Sequence, residues 1–325
     1  PDGGVVAASE PDGITVLDLA TGATLARIDR PATFAALAIS PDGRQLAAGY
    51  FDGAVEVWQI AGAPRLVASA ARPTQVGDVE WSPDGEVLAI GSLDGGTAVW
   101  VPGEDVFVWE DEGFAPPEVD NASSGLLFSS DGERLVLSTQ TSARSAGTGR
   151  ASGVRAVRVL DASTGADLIE PIVDEFTRTG MAWLDATETS VVATPSSVGP
   201  ITVFDVAIDV EAERRTLRTI GETKTGVASG LGVFRDLGLV ATGGSSGVEL
   251  RSLDGSGPLS TTAGLAPAQR AVRTDRTLLI GAFTDGNTQL VTSILSEPDF
   301  ARPHVVDLDR PLEAPAEYVP TDGAP

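Results

Sequence analysis

Cysteine is absent from this chain of 325 residues, and histidine and lysine occur once each, as His304 and Lys224. The absence of cysteine excludes disulfide bonds and thiolate chemistry, and it leaves the cellular compartment open. A single histidine makes neither a zinc cluster nor a catalytic triad. The sequence also lacks an apolar run of the ~18 residues that a membrane span needs. We therefore expect no metal site, no cofactor and no membrane contact.

Positive charge is scarce, since 22 Lys and Arg residues face 46 Asp and Glu residues and the net charge is −24. The arginines are scattered between acids and form no basic stripe, so we expect no nucleic-acid partner. The negative field favours a basic ligand, although its simplest effect is to keep the protein soluble. The preference for arginine over lysine, with abundant Ala, Gly, Val and Asp, is typical of a GC-rich bacterial genome, and a halophile would share it.

A short turn pattern recurs along the chain. Residues 39–43 read Ile-Ser-Pro-Asp-Gly, and the pattern returns at residues 81–85 and, with one change, at residues 128–132. Weaker turns extend this series to seven units, with steps of 40, 42, 47, 54, 51 and 39 residues between the turn aspartates Asp2, Asp42, Asp84, Asp131, Asp185, Asp236 and Asp275. A period of this length indicates a repeat architecture.

Each unit shows the same order of local signals. The turn leads into a segment of small and β-branched residues, such as residues 46–50, which is typical of strands whose backbones lie close together. A second Asp-Gly turn, at residues 52–53, joins an antiparallel neighbour. The next segment, residues 55–58, alternates between apolar and polar side chains. The pattern predicts an all-β fold.

These signals together resemble the repeat of WD-repeat β-propellers: Ser-Pro-Asp-Gly, a small-residue strand, Asp-Gly, and an alternating strand that ends in Trp. Residues 34–60 and 76–101 carry the resemblance best, residues 1–28 and 122–169 carry it moderately, and later units depend on spacing and pattern. The resemblance implies one seven-bladed β-propeller domain over residues 1–325, with four-stranded antiparallel blades.

One departure from the family concerns the buried polar network that stiffens each blade in many members. That network needs a histidine in each repeat, and this chain has only one histidine. We therefore expect hydrophobic packing between blades to supply the cohesion, with large contributions from Trp58, Trp81, Trp100 and Trp183.

The two ends of the sequence predict how the ring closes. The first unit begins after its innermost strand, and residues 316–323 resemble an innermost strand followed by a turn. We expect this C-terminal tail to supply the innermost strand of blade one, which would remove two exposed sheet edges. The start inside a turn motif, at residues 1–3, also favours a piece excised from a longer multidomain protein.

Two loops between the second and third strands of their blades carry the residues for which we expect a partner-binding role. Tyr50 and Phe51 are adjacent aromatics beside a turn in blade two, where they could anchor a partner or pack beneath a neighbouring loop. Arg144 and Arg150 lie in a Ser-, Ala- and Gly-rich insert, residues 140–153, which we interpret as a flexible loop in blade four. The resemblance implies that such loops face the partner, while an insertion without function is the alternative.

The resemblance also implies a function, namely a non-enzymatic recognition or scaffold module. We expect the C-terminal sensor or interaction domain of a bacterial, actinobacterial-like signalling protein, cytoplasmic and monomeric as an isolated domain. Its partner would be a protein or peptide, including another domain of the same chain. The alternative is a lactonase-like propeller hydrolase with a metal or substrate site in the central channel, although the innermost strands predicted at residues 35–38 and 125–127 are poor in titratable groups. An envelope-associated assembly propeller is a third possibility.

Overall fold

The computed structural model describes residues 4–10, 12–18, 21–30, 36–93, 95–111, 122–144, 151–174, 178–195, 199–208, 216–223, 230–234, 238–244, 247–256, 258–262, 271–274, 277–284, 289–294, 304–307 and 318–320. Within these ranges the chain forms strands and turns. None of these residues belongs to a helix that could span a membrane.

The described strands group into seven four-stranded antiparallel sheets, A to G, and sheet A combines the first three strands of the chain with the last one. From first to fourth strand, sheet A contains β28 (Tyr318–Pro320), β1 (Val5–Glu10), β2 (Gly13–Asp18) and β3 (Thr24–Ile28). Sheet B contains β4 (Ala36–Ile39), β5 (Gln45–Gly49), β6 (Ala54–Gln59) and β7 (Arg65–Ala71). Sheet C contains β8 (Val76–Trp81), β9 (Leu88–Ser92), β10 (Thr97–Trp100) and β11 (Phe107–Asp111).

The other four sheets each use consecutive strands. Sheet D contains β12 (Ala122–Phe128), β13 (Arg134–Arg144), β14 (Ala151–Asp161) and β15 (Ile172–Asp174). Sheet E contains β16 (Arg178–Trp183), β17 (Ser190–Pro195), β18 (Gly199–Asp205) and β19 (Thr216–Thr223). Sheet F contains β20 (Gly230–Phe234), β21 (Leu239–Gly244), β22 (Gly247–Ser252) and β23 (Pro258–Thr262), and sheet G contains β24 (Ala271–Thr274), β25 (Thr277–Thr284), β26 (Gln289–Ile294) and β27 (His304–Asp307). The predicted all-β fold of four-stranded antiparallel sheets is confirmed.

The first strands lie beside one another from sheet to sheet. Contacts join β4 to β8, β8 to β12, β12 to β16, β16 to β20 and β20 to β24, and β28 contacts both β24 and β4. Strand β28 also pairs with β1, where Val6 lies opposite Pro320 and Ala8 lies opposite Tyr318. The last described strand of the chain therefore completes the sheet that the first strands begin.

The repeated turn is stabilised by its own side chains. Ser82 Oγ donates a hydrogen bond of 2.5 Å to Asp84 Oδ1, and Asp84 Oδ1 accepts a bond of 3.0 Å from the Glu86 backbone amide. Gly85 has a φ of 73°, in the left-handed region that glycine adopts without strain. The same bonds form around Asp42 and Asp131. Turn geometry accounts for these aspartates.

This turn makes a prediction about acid stability. Hydrogen bonds from Ser82 and from the Glu86 amide hold the pKa of Asp84 below its usual range. A carboxylate with a lowered folded-state pKa stabilises the fold above its unfolded pKa of about 3.9, and this contribution is lost as the pH falls through the folded-state pKa. We expect Asp84→Asn to be less stable than the parent at neutral pH, with a difference that shrinks in acid.

Urea unfolding between neutral pH and pH about 2 measures that difference directly. The matched control is Asp105→Asn, which removes an equal charge from an exposed site. It should shift the unfolding free energy by a smaller amount over the same range. A difference for Asp84→Asn that stays constant down to the lowest pH would contradict the prediction.

The core consists of hydrophobic clusters between neighbouring sheets, which join A to B, B to C, C to D, D to E and E to F. In β5, Leu46 and Ala48 belong to the cluster with sheet A, whereas Ala47 belongs to the cluster with sheet C. A strand that is buried on both faces has room for small residues only. At Gly49, for example, an added Cβ would overlap the Val76 side chain.

Two tryptophans tie neighbouring first strands together. Trp81 Nε1 in β8 donates a hydrogen bond of 3.1 Å to the carbonyl oxygen of Ala38 in β4. Trp183 Nε1 in β16 donates a bond of 2.7 Å to the carbonyl oxygen of Phe128 in β12. Both indoles are buried, so each adds a directional contact to the hydrophobic cluster that contains it.

Arginine side chains supply a second kind of cohesion, which corrects the expectation that hydrophobic packing alone would hold the blades. One arginine connects each pair of neighbouring sheets from A to F. The connections are Arg30 to Asp52 and Glu56, Arg72 to Glu110, Arg158 to Asp111, Arg134 to Glu188, and Arg251 to the carbonyl of Glu222. A guanidinium has five donors in a fixed fork and can therefore bind partners on two sheets at once.

Candidate protein-interaction face

One end of the sheets carries Tyr50, Phe51 and the backbone of Arg144, three of the four residues for which the sequence predicts partner binding. In sheet B, Ala54 at the start of β6 pairs with Ala71 at the end of β7, and in sheet C, Thr97 pairs with Asp111 in the same way. The turn between second and third strands therefore lies beside the connection to the next sheet. We call this end the turn face. In sheets A to C it comprises residues 12, 29–30, 50–53, 72–75 and 110–111.

Tyr50 and Phe51 share one turn of this face but differ in exposure. Tyr50 is 4% exposed and packs in the cluster between sheets A and B, and the Arg30 guanidinium carbon lies 3.6 Å from its ring centroid. Burial raises the pKa of the Tyr50 hydroxyl, which therefore stays protonated. Phe51 is 43% exposed. Of these two aromatics, Phe51 presents its ring at the surface and Tyr50 supports the turn from below.

The backbone of this turn is fixed by hydrogen bonds. Gly53 N donates to the Tyr50 carbonyl at 3.1 Å, and Arg72 N, in the connection to sheet C, donates to the Gly53 carbonyl at 2.8 Å. Gly53 has a φ of 85°, and an added Cβ would overlap the Arg72 carbonyl oxygen. Phe51 is thus carried on a rigid turn, which lowers the entropy cost of using it in binding.

Clusters of arginine and carboxylate groups line the turn face in sheets A to C. The clusters are Arg27 with Glu10, Asp12 and Asp29, Arg30 with Asp52 and Glu56, and Arg72 with Glu110. Six carboxylates face three guanidinium groups here, so these residues carry an excess of three negative charges. Several of the carboxylates are accessible, and the side chain of Asp29 is 84% exposed.

Among the described residues, sheet D extends furthest at this end of the sheets. Strands β13 and β14 pair without interruption up to Arg144 opposite Ala151, whereas β12 pairs with β13 only as far as Gln140 and β15 pairs with β14 only as far as Arg155. The last four residue pairs therefore reach ~13 Å beyond the neighbouring described strands. We call this two-stranded segment, residues 141–144 and 151–154, the ribbon.

The ribbon corrects the expectation of a flexible loop over residues 140–153. Most of that segment is strand, because β13 and β14 pair with each other and satisfy each other's backbone hydrogen-bonding groups. Arg144 is the last residue of β13. Arg150 lies outside the described residues. The structure therefore brings Phe51 and the backbone of Arg144 to the same end of the sheets, and the partner-binding role of Tyr50, Phe51, Arg144 and Arg150 remains a prediction.

Two acids lie on the first strand of sheet C, outside the innermost strands at residues 35–38 and 125–127 that the sequence predicts to be poor in titratable groups. Asp78 Oδ2 accepts a hydrogen bond of 3.0 Å from the Leu126 amide, and Glu80 Oε1 accepts one of 3.1 Å from the Phe128 amide. Both amides belong to β12 of sheet D. The acids therefore join two first strands, and this role accounts for them without substrate chemistry. In the described part of the chain, no group of three or more His, Asp or Glu residues is placed to hold a metal ion.

Comparisons with known proteins agree with this architecture. Residues 32–59 and 67–100 match the family model of the WD domain, G-beta repeat (WD40). The crystal structure of the computationally designed Ika8 protein is similar, with a TM-score of 0.61 and 17% identity, over 95% of this chain and 81% of that chain. The crystal structure of Saccharomyces cerevisiae Sqt1 is also similar, with a TM-score of 0.55 and 10% identity, over 86% of each chain. No curated protein matches the sequence.

The class of the protein follows from the sheets and these matches together. Two segments of the chain match the WD40 repeat model, and the all-β set of four-stranded antiparallel sheets is consistent with a propeller of such repeats. The findings support a WD-repeat family, as the sequence predicted. At their low identities the two solved structures are evidence for the fold alone. WD40 repeats indicate a protein-interaction or scaffold module.

Proposed function

We propose that residues 1–325 form a single seven-bladed propeller, closed into a ring by β28. Two observations support this proposal. Strand β28 contacts the first strands of both sheet G and sheet B, and it pairs with β1 within sheet A. The other first strands contact one another in sequence order. In a closed ring, the first strand of every sheet lies between the first strands of its two neighbours. No sheet at the end of a series is then exposed, which protects the protein from edge-to-edge association.

The function of this propeller is recognition without catalysis, and the turn face is its binding surface. The observation that carries this proposal is Phe51, a 43% exposed aromatic on a rigid turn at the same end as the ribbon. The partner is a protein or peptide, including another domain of the parent chain. The setting that fits best is a cytoplasmic bacterial signalling protein, in which the domain acts as a monomer.

The experiment uses the triple variant Phe51→Ser/Arg144→Ser/Arg150→Ser. Tyr50 is left intact, because its burial makes any substitution there a test of folding. The parent and the variant are used as baits in lysate of the source organism, and retained proteins are quantified by mass spectrometry. We expect the variant to lose at least ~80% of the specific partner, since a few central residues carry most of the binding energy of an interface.

The matched control is Arg44→Ser/Val106→Ser, which alters an exposed arginine and a 72% exposed apolar residue at the opposite end of sheets B and C. This control should retain the partner at the level of the parent. Thermal unfolding of all three proteins should agree within a few degrees. Equal retention by the parent and the triple variant would refute the choice of the turn face.

A further inference from the structure

We propose that the turn face of sheets A to C binds a basic peptide segment that carries one bulky apolar residue, with the apolar residue packed against Phe51. This inference rests on the proposed recognition function and specifies the chemistry of the part of the partner that contacts sheets A to C. Arg144 and Arg150 would contact a different part of the same partner. It is carried by two observations on the same turns: exposed carboxylates in excess over arginine, and an exposed aromatic ring.

The first observation is the charge around the Phe51 turn. Arg30 lies between Asp52 and Glu56, at 2.9 and 2.5 Å, and Arg72 lies 2.5 Å from Glu110. The guanidinium groups are therefore engaged within the protein, while the carboxylates of Asp52 and Glu110 are 64% and 49% exposed. Each exposed ion pair with a partner would contribute little by itself, so a segment with several cationic residues is required. The net charge of −24 further favours the approach of such a segment.

The second observation is the apolar anchor in this acidic setting. Phe51 is 43% exposed, and the exposed Asp52 follows it in the same turn. An aromatic residue at the centre of a polar rim is the usual arrangement of a binding hot spot. A partner with charges alone would leave this ring in water, so the partner must also bring an apolar side chain.

An acidic peptide is the opposite possibility, because residues 134–160 contain five arginines and no Asp or Glu, which is an exception to the scattering of arginines between acids that the sequence predicts. Two of these arginines, Arg134 and Arg158, are already engaged by Glu188 and by Asp111 and Asp167. An acidic segment would also have to approach against the net charge of the whole protein. The observations therefore favour the basic segment, and the acidic one becomes an outcome of the test.

The test measures fluorescence anisotropy of short labelled peptides with the intact chain. The probe is Lys-Arg-Lys-Phe-Lys-Arg-Lys, compared with a peptide that has Ser in place of Phe and one that has Glu in place of every basic residue. We expect saturable binding of the probe, at least ~5-fold weaker binding of the Ser peptide, and no binding of the Glu peptide. Binding of the probe should weaken as NaCl is raised from about 50 to about 300 mM.

Local charge is separated from total charge by two variants that each remove four acids. The turn-face variant is Asp12→Asn/Asp29→Asn/Asp52→Asn/Glu110→Gln. The control replaces four exposed acids at the opposite end of the sheets, as Glu86→Gln/Glu104→Gln/Asp105→Asn/Glu133→Gln. We expect the turn-face variant to bind the probe at least ~10-fold more weakly than the parent, and the control to stay within ~3-fold. Circular dichroism of both variants checks that the fold is retained.

Three outcomes would overturn the inference. The turn-face variant and its control could lose equal affinity for the probe, which would mean that only total charge matters. The parent could bind the Glu peptide in preference to the probe, or Phe51→Ser could bind the probe as tightly as the parent does. The proposed recognition function fails separately. If the triple variant described above loses its cellular partner while the parent ignores the basic probe, the turn face is a binding surface whose partner has different chemistry.

Discussion

Replacing Arg158 with methionine should lower the free energy of unfolding by about 3 kcal/mol. The residue is 5% exposed, and its guanidinium binds Asp167 through Nε and Nη2, at 2.9 and 2.8 Å, and also binds Asp111 of the neighbouring sheet. The substitution leaves two carboxylates without their common cation. Because the side chains of Asp111 and Asp167 are 29% and 33% exposed, water recovers part of the lost interaction. Urea unfolding of the parent and the variant measures the loss.

The matched control for this prediction is Arg65→Met, which removes an exposed arginine from β7 and should change stability by about 0.5 kcal/mol or less. Neutralising the carboxylates as well, in Arg158→Met/Asp111→Asn/Asp167→Asn, should restore part of the loss, since no unpaired charge is then left near the interface. A single variant as stable as the parent would show that the arginine connections contribute nothing to the cohesion of the sheets.

The second large effect is expected at Trp183, where replacement by alanine should cost about 4 kcal/mol. The side chain fills the cluster between sheets D and E, and its indole donates to the Phe128 carbonyl of the adjacent first strand. Replacement by phenylalanine keeps most of the volume and removes that hydrogen bond, so it should cost about 1 to 2 kcal/mol. Chemical denaturation of both variants separates the packing contribution from the hydrogen-bond contribution.

Trp58 provides the matched comparison. It is partly buried, and its indole donates to Glu56 of the same strand at 3.0 Å, so it does not connect two sheets through that bond. We expect Trp58→Phe to cost about 0.5 kcal/mol, less than the same change at Trp183. If Trp58→Phe and Trp183→Phe lowered the free energy of unfolding equally, the hydrogen bond between the first strands of sheets D and E would contribute no extra stability.

The sheets were predictable from the sequence because the residues that define each turn act locally. Ser82, Asp84 and Gly85 close their turn with bonds that span at most five residues, and the same signature at Asp42 and Asp131 repeats the result. The small residues of the strand after each turn indicate that the strand is buried, as in β5. Where this turn and the small-residue strand after it recur clearly, their repetition predicts the number and the order of the strands.

The candidate face was less predictable, because its geometry depends on pairs that are distant in the sequence. Arg158 and Asp111 are 47 residues apart, and Arg134 and Glu188 are 54 apart, so no local pattern reveals either contact. Tyr50 and Phe51 follow β5 in a turn, where the direction of each side chain depends on the backbone of that turn, so the sequence alone does not say which ring faces the core. Tyr50 lies inward and Phe51 lies outward.

The pairing of β28 with β1 has a consequence for how this protein is made. Its partners, Val6 and Pro320, are more than 300 residues apart in the chain. At a synthesis rate of roughly 5 to 20 residues per second, the first three strands of sheet A wait about 15 to 60 s for their fourth. During that time β1 has an open edge on a ribosome-bound chain. The cell must therefore keep this edge from pairing with other chains until β28 has been synthesised, and a premature stop before β28 would leave the edge permanently exposed.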